Sequence, residues 1–427
     1  MGDFDTETAS VLKSDGMNMK AIEKPEEFPP AIAEILEMVP PGKTVKINLA
    51  YTSYTGGHRS AAEAIQEYLD PIPGIHPEVV NIRDNIEKET GKRMRLAIHS
   101  VVLKKLTMLR SWFFRGYFNG SEFVYRMSNF FIKIGFLANR TFLNRIQRDK
   151  VDMILSCDSA LNAILSWWRS RGLLSIPVHS LITDFRAHRL WVQDQIDMYY
   201  VACSRTREDL IEFGVDPERI VVTGLPVKKK FFQTAQLSRD SLRRRLGVNP
   251  DTFLVVIVGG SLGLGPYEGV ARTLQSCPIP VQAVFCTGRN RIKKMRMKTV
   301  ASASGIPLKI LDYVDNMQEW IEASDLMITK PGGLSVTEIL VKNRPMLHIR
   351  TAGGLEEAQA DYLDRFHSKF RTIELNELNE LVEDLANGRS RWRPEKETEM
   401  PLYRQEAPSD ICRQLVRSAL DWKREVP

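Results

Sequence analysis

The chain is poor in cysteine. Five thiols, at Cys157, Cys203, Cys277, Cys286 and Cys412, are scattered over 427 residues. No Cys-x-x-Cys pair and no Cys/His metal spacing occurs, which argues against a disulfide framework and a structural zinc site, and for a reducing compartment. Long apolar runs are missing as well. No stretch of about 18 apolar residues is present, so no spanning helix is expected. The opening MGDFDTETAS is acidic and polar, unlike a secretory signal or an Arg-rich transit peptide, and a cytoplasmic protein is expected. Short repeats and low-complexity tracts are absent too. What is present is ordinary for a globular chain, 43% hydrophobic and 26% charged, which excludes disorder throughout. At roughly 150 residues per domain, the length suggests two domains or three.

The net charge of +6 is unevenly placed. Residues 91 to 150 hold thirteen Lys or Arg and two acids, a net +11 that leaves −5 for the rest of the chain. The same segment carries eleven of the 36 aromatic residues. Its densest part includes Lys104, Lys105, Arg110, Trp112, Phe113, Phe114 and Arg115. Cations mixed with large rings suit an interfacial helix on anionic lipid. They also suit single-stranded nucleic acid, or a core helix pair with a solvated basic face. No nucleic-acid motif accompanies the charge, so no nucleic-acid partner is expected.

Along the chain, residues 1 to 28 read as an extension and 29 to 39 as a short helix. Apolar runs then alternate with amphipathic stretches. Strands are expected at 45–50, 78–82, 151–155, 178–183, 198–202 and 220–223. A second series follows at 252–258, 281–286, 308–311, 326–329 and 346–349. The alternation implies two α/β halves with parallel sheets, joined near 225 to 245. A helix at 409–422 closes the chain.

Five strand-end motifs carry candidate chemistry. Thr55-Gly56-Gly57-His58-Arg59 lies between a strand and a helix. Glycines there admit a close ligand, and an imidazole at that turn can take a proton from a hydroxyl; alternatively, the histidine only packs. Gly259-Gly260-Ser261-Leu262-Gly263 is either a phosphate loop or a plain turn, and matches neither standard nucleotide fingerprint. Lys330 to Glu338, KPGGLSVTE, brings a glycine turn into a helix whose N-terminus suits a pyrophosphate. Glu338 there is a ribose ligand, the acid of a Ser-x-x-Glu capping box with Ser335, or both. Thr183-Asp184-Phe185 with His188 and Trp191 leaves a strand end. Asp184 and His188 face a crevice there, or they cap and pair locally. Gly354 to Gln359, GLEEAQ, offers Glu356 and Gln359 to a polar ligand, or is a solvated helix start.

Taken in order, TGGHRSAAEAI (55–65), TDFRAHRLWV (183–192), IDMYYV (196–201), VTGLPV (222–227), GGSLG (259–263), GRN (288–290) and LDYVDNMQEWIEASDLMITKPGGLSVTEIL (311–340) resemble one family. It is the monogalactosyldiacylglycerol synthase and processive diacylglycerol glucosyltransferase family, of the GT-B group that includes the lipid-II-forming N-acetylglucosaminyltransferase. The resemblance covers roughly residues 45 to 385. It implies a GT-B fold, two Rossmann-like parallel-sheet domains facing across a cleft. The expected layout is an extension at 1–40, an acceptor domain at 41–228, a UDP-sugar domain at 229–389, and a tail at 390–427 whose helix packs back on the first domain.

The resemblance further implies an inverting transfer of a hexose from a UDP-sugar to a lipid hydroxyl, diacylglycerol first, giving a β-glycoside. Other lipid or polyprenyl-linked acceptors, and a non-catalytic sensor of lipid or nucleotide sugar, are the alternatives. His58 becomes the general base. Val314 meets the uracil and Glu338 the ribose. Gly259, Gly260 and Ser261 hold the pyrophosphate with Gly332, Gly333, Leu334 and Ser335, aided by Arg289 or Asn290. Glu356 and Gln359 sit at the sugar. Gly56, Gly57, Asp158, Asp184, His188 and Trp191 form the acceptor side. No cofactor and no metal is expected. The basic aromatic segment becomes the membrane-facing part of a protein peripheral on the cytoplasmic face. Leu355, where the family has Gln, and Asp158, where it has His, are departures.

Overall fold

The computed structural model describes residues 30–52, 56–82, 125–126, 140–233, 237–350, 355–389 and 403–425. The expected membrane residues Lys104, Lys105, Arg110, Trp112, Phe113, Phe114 and Arg115 lie outside them.

Twelve strands among the described residues form two all-parallel sheets. The first has the order β2-β1-β3-β4-β5-β6 and the second β12-β11-β10-β7-β8-β9. In the first sheet these are β1 (Val45–Tyr51), β2 (Ile75–Asn81), β3 (Met153–Ser156), β4 (Val178–Leu181), β5 (Met198–Val201) and β6 (Ile220–Val222). In the second they are β7 (Phe253–Val258), β8 (Val281–Cys286), β9 (Leu308–Leu311), β10 (Leu326–Thr329), β11 (Met346–Ile349) and β12 (Phe370–Ile373). Parallel strands with helices on both faces are apolar on both faces. That is why VKINLAY, FLVVIV and VQAVFC read as continuous runs, and why β3, β4, β8, β10 and β11 are buried along their whole length. The edge strand β12 was not expected. Its Arg371 and Thr372 are only half-buried, so FRTI lacks the apolar run that marks its neighbours.

Each strand order reverses direction once. In the first sheet the reversal lies between β1 and β3, which pair from Ile47 with Met153 to Ala50 with Ser156. In the second it lies between β7 and β10, which pair from Val255 with Leu326 to Val258 with Thr329. At such a point the connections leave on opposite faces of the sheet and open a crevice beyond the strand ends. The glycine motifs at 56–58, 259–263 and 332–333 all follow strands at these two points.

One boundary differs from the expected one. Helix α1 (Pro30–Met38) buries Ile32 and Ile35 in the core that contains β1, so it belongs to the first domain and not to an extension. Near the joint, the helix Arg239–Arg245 packs within the second domain. Arg243, buried, and Arg239 both reach the Asp325 carboxylate at 2.5 Å, and that carboxylate also accepts from the Leu254 N–H at 2.6 Å.

Helix α2 (Gly56–Leu69) follows β1. The last helix, Ala407–Glu425, packs on α1, α2, β1 and β3, so the chain ends on the first domain. Its Ile411, Cys412, Leu415 and Val416 are fully buried. Polar contacts fix the register: Cys412 Sγ donates to the Ile65 carbonyl at 3.7 Å, and Arg413 and Lys423 pair with Glu34 and Asp152, both at 2.8 Å. Among the described residues, no helix is long and apolar enough to cross a membrane.

Truncating Leu415 to Ala leaves a cavity on the α1–α2 face. It should cost about 2–5 kcal/mol, read as a lowered midpoint of chemical denaturation with an unchanged slope.

Candidate active site

The two crevices face each other and enclose a cavity of about 780 Å³. The first domain lines it with the start of α2, with Thr183 and Asp184 after β4, and with Lys228 and Lys230. The second contributes Gly259–Leu262, Arg289, Asp312–Asp315, Lys330–Ser335, Glu338, Glu356 and Gln359.

His58 sits in the first turn of α2. Its Nδ1 lies 3.1 Å from Thr183 Oγ1. When Nδ1–H donates to that hydroxyl, Nε2 keeps its lone pair, the form a general base requires. The Trp191 ring packs beside the imidazole at 6.3 Å between centroids, and Trp191 Nε1 donates to Asp184 Oδ2 at 3.0 Å. The expected acceptor-side set divides here. Gly56, Gly57 and Asp184 line the cavity, whereas Asp158, His188 and Trp191 stand behind it. Asp158 caps the helix Ser159–Ser170 by accepting from the Ala160 N–H at 2.9 Å, and its other oxygen accepts from Thr52 at 2.8 Å. With both oxygens engaged and 6% exposure, it is an N-cap rather than an acceptor ligand. Burial lowers the His188 pKa, which favours a neutral ring there.

On the other wall, β10 runs into the helix α3 (Gly333–Val341). Its N-cap is Gly332, with no side-chain cap. Ser335 is therefore the third helical residue, and the Ser-x-x-Glu capping box does not form. The first N–H groups of α3 are left without a side-chain acceptor, beside a cavity they help to line. Such a helix start favours an anion through its N–H groups and its dipole. Glu338 turns across the cleft instead, accepting from Ser60 Oγ at 3.2 Å. Burial pushes its carboxyl up to about 7, against the Ser60 hydrogen bond and the charges of Lys228 and Lys230.

The Gly259–Gly263 turn needs its glycines. Gly260 and Gly263 have φ of 70° and 57°, and a Cβ at Gly259 would lie 2.0 Å from the Leu264 carbonyl oxygen. Ser261 Oγ accepts from the Gly56 N–H at 3.0 Å, across the domains. Arg289 donates its N–H to the Ser261 carbonyl at 2.8 Å and holds its guanidinium 5.2 Å from the Tyr313 ring centroid. Asn290 does not line the cavity. It caps the helix Arg291–Ser302 through the Lys293 N–H at 2.9 Å and ties down the Leu262 carbonyl at 3.1 Å, so it supports the turn from behind. Val314 and Leu334 line the cavity. Glu356 is ion-paired with Lys330. Gln359 reaches the cavity wall, but its carbonyl accepts from the Phe185 and Arg186 N–H groups at 2.8 and 3.2 Å, and its NH₂ donates to the Arg186 carbonyl at 3.3 Å. Expected at sugar hydroxyls, it is here a clamp between the domains. Among the described residues, no cluster of three or more His, Cys, Asp or Glu has metal-holding geometry.

Residues 58–227 match the family model for monogalactosyldiacylglycerol (MGDG) synthase, and 254–412 match the glycosyltransferase family 28 C-terminal domain. A processive diacylglycerol beta-glucosyltransferase of Bacillus licheniformis is 24% identical over 339 residues, covering 78% of this chain and 84% of that protein. One from Bacillus thuringiensis is 26% identical over 371 residues, covering 86% and 92%. The two halves of the chain are thus similar to MGDG synthase and to glycosyltransferase family 28, and most of its length is similar to processive diacylglycerol glucosyltransferases. The S. aureus MnaA–UDP co-structure shares the fold, with a TM-score of 0.56, 15% identity and coverage of 90% and 99%. A UDP-GlcNAc 2-epimerase from Neisseria meningitidis shares it too, at 0.55 and 12%, with coverage of 87% and 100%.

Several residues of the cavity were not singled out from the sequence. Thr183 was quoted only as part of its motif, and nothing local marks it as the histidine's partner. Lys228 and Lys230 follow VTGLPV in a run of three lysines, a signal that was legible. Lys228 pairs with Glu63 at 2.5 Å. Tyr313 stands 51% exposed at the rim.

The Glu338 carboxyl sets a stability slope. Between its ordinary value near 4.5 and about 7, the unfolded chain ionises it while the folded protein keeps it protonated. Its contribution is therefore complete below about 4.5 and is lost as pH rises to about 7. Glu338→Gln, which cannot ionise, should remove this. The wild-type melting temperature minus that of the variant should fall across the window and level off above it; a flat difference contradicts the assignment.

Proposed function

We propose that this protein is an inverting glycosyltransferase that moves a hexose from a UDP-sugar to a membrane lipid hydroxyl, diacylglycerol first, and forms a β-glycosyl glycolipid. The observation that carries the reading is the cavity itself. It joins a hydrogen-bonded imidazole on one wall to an uncapped helix N-terminus on the other. The names of the relatives support the lipid acceptor and point to glucose as the first donor to test.

The reaction divides between the walls. His58 Nε2 takes the proton of the acceptor hydroxyl as its oxygen attacks the anomeric carbon. The bond from that carbon to the diphosphate breaks, and the electron pair leaves with UDP. The developing charge on the diphosphate meets the N–H groups of Gly333, Leu334 and Ser335, the Gly260–Ser261 turn and the Arg289 guanidinium. Preorganised donors of this kind stabilise charge without reorganising during the step. Val314 backbone groups take the uracil. Glu338, whose carboxyl burial holds up to about 7, exchanges hydrogen bonds with the ribose hydroxyls as donor or acceptor according to its protonation. Attack opposite an α-linked leaving group gives the β product. The basic aromatic segment holds the protein peripherally on the cytoplasmic face of the membrane.

His58→Ala should lower turnover by roughly 100- to 10,000-fold, while UDP affinity by calorimetry stays the same. Thr183→Val should lower it by about 10- to 100-fold through a misaimed imidazole, with Thr183→Ser restoring most of the loss. UDP release and lipid mass are the readouts; full activity in His58→Ala defeats the base assignment.

Reversing charge at Lys104, Lys105 and Arg110 should weaken binding to anionic vesicles by about fivefold or more per residue, and added salt should act the same way. Vesicle binding indifferent to both contradicts the membrane role of the segment.

A further inference from the structure

The helix Arg291–Ser302, RIKKMRMKTVAS, carries five cations and no acid. It leaves the cleft directly after Arg289 and Asn290. Met297 is fully buried and Val300 packs with it against the second-domain core. The opposite side is unusual. Ile292 is 68% exposed and Met295 70%, three residues apart on one stripe. Single exposed apolar residues are ordinary and need no partner. Here they are gathered. Seven large hydrophobics are strongly exposed among the described residues, and five of them (Leu262, Leu264, Ile292, Met295 and Tyr313) belong to this helix and the two loops beside it. The Asn290 side chain holds the Leu262 carbonyl at 3.1 Å, which ties that loop to the helix start.

The helix itself carries charge of one sign, with Glu268 and Asp312 beside it. Lys293 and Lys294 pair with Glu268 and Asp312. Arg291, Arg296 and Lys298 form no salt bridge among the described residues, although the Arg296 charge also favours the ionised Glu268; Arg291 and Arg296 flank Ile292 and Met295 in sequence, and Lys298 follows one turn on. A helix that presents flexible apolar tips beside cations free of salt bridges fits the boundary of an anionic bilayer, with tips among the acyl chains and cations at the phosphates.

We infer that the outer face of Arg291–Ser302, with Leu262, is a lipid-surface contact of the second domain, separate from the basic aromatic segment of the first. It sits at the lip of the cavity, so binding there brings the cavity mouth to the surface that holds a lipid acceptor. That purpose rests on the function proposed above; the surface contact does not.

The test uses the full chain and vesicles of phosphatidylcholine with and without phosphatidylglycerol. Two variants are compared with wild type, Ile292→Ser/Met295→Ser and Arg291→Ala/Arg296→Ala/Lys298→Ala. Each cation near an anionic leaflet contributes about fivefold in partitioning, so the charge variant should lose at least tenfold on anionic vesicles and little on neutral ones. The apolar variant should lose on anionic vesicles as well, and both should keep the wild-type melting temperature. In wild type, amide hydrogen exchange across 291–302 should slow when anionic vesicles are added. Partitioning unchanged in both variants overturns the inference, as does exchange in 291–302 indifferent to lipid. A short-chain, water-soluble diacylglycerol separates the two readings. Variants that turn it over at the wild-type rate but fail on vesicle-borne acceptor support the contact. A wild type inactive on every acceptor defeats the proposed function and leaves the partitioning result to stand alone.

Discussion

The cavity depends on one close approach. Gly333 lies so near the first domain that a Cβ there would stand 1.9 Å from the Thr183 carbonyl oxygen. Any side chain would push the domains apart. Thr183 thereby has two neighbours. Its carbonyl meets the first residue of α3, whose free N–H groups suit a diphosphate, and its hydroxyl meets the imidazole that suits a proton. One residue thus sets the distance between the anion-binding and the base-bearing walls. The Gln359 clamp on 185–186 and the Gly56–Ser261 hydrogen bond hold the same juxtaposition from either side.

Electrostatics follows from that closure. Drawing the walls together removes water from Glu338, and the carboxyl responds by holding its proton to about 7. Lys228, Lys230, Arg289 and Lys330 line the same space. A cavity with several cations, an uncapped helix start and a carboxyl that resists ionising favours a dianionic ligand with hydroxyls, as a nucleotide diphosphate sugar is. Of the five other acids that line the cavity, Glu63 is held by Lys228 and Arg59, Glu356 by Lys330 and Asp312 by Lys294; Asp184 and Asp315 also line it.

Much of the fold was legible because parallel sheets bury both faces of their strands. Eleven expected strands were found, while FRTI at β12 was missed because an edge keeps Arg371 and Thr372 partly in solvent. The glycine turns were legible because strand, glycine and helix are contiguous in sequence. The roles of single polar residues were less so. Asp158, Asn290 and Gln359 all carry groups suited to a ligand, yet their groups are taken by Thr52 and Ala160, by Leu262 and Lys293, and by the backbone at 185–186. Gln359 meets partners more than 170 residues away, which no local pattern records.

The sequence by itself determined the alternation of strands and helices, the glycine turns at their ends and the family motifs, since these rest on periodicity and local backbone freedom. Only the tertiary structure decided which polar groups remain open to a ligand. That depends on whether the opposite domain satisfies a group first, and the approach of Gly333 to Thr183 is what brings the opposite domain within reach.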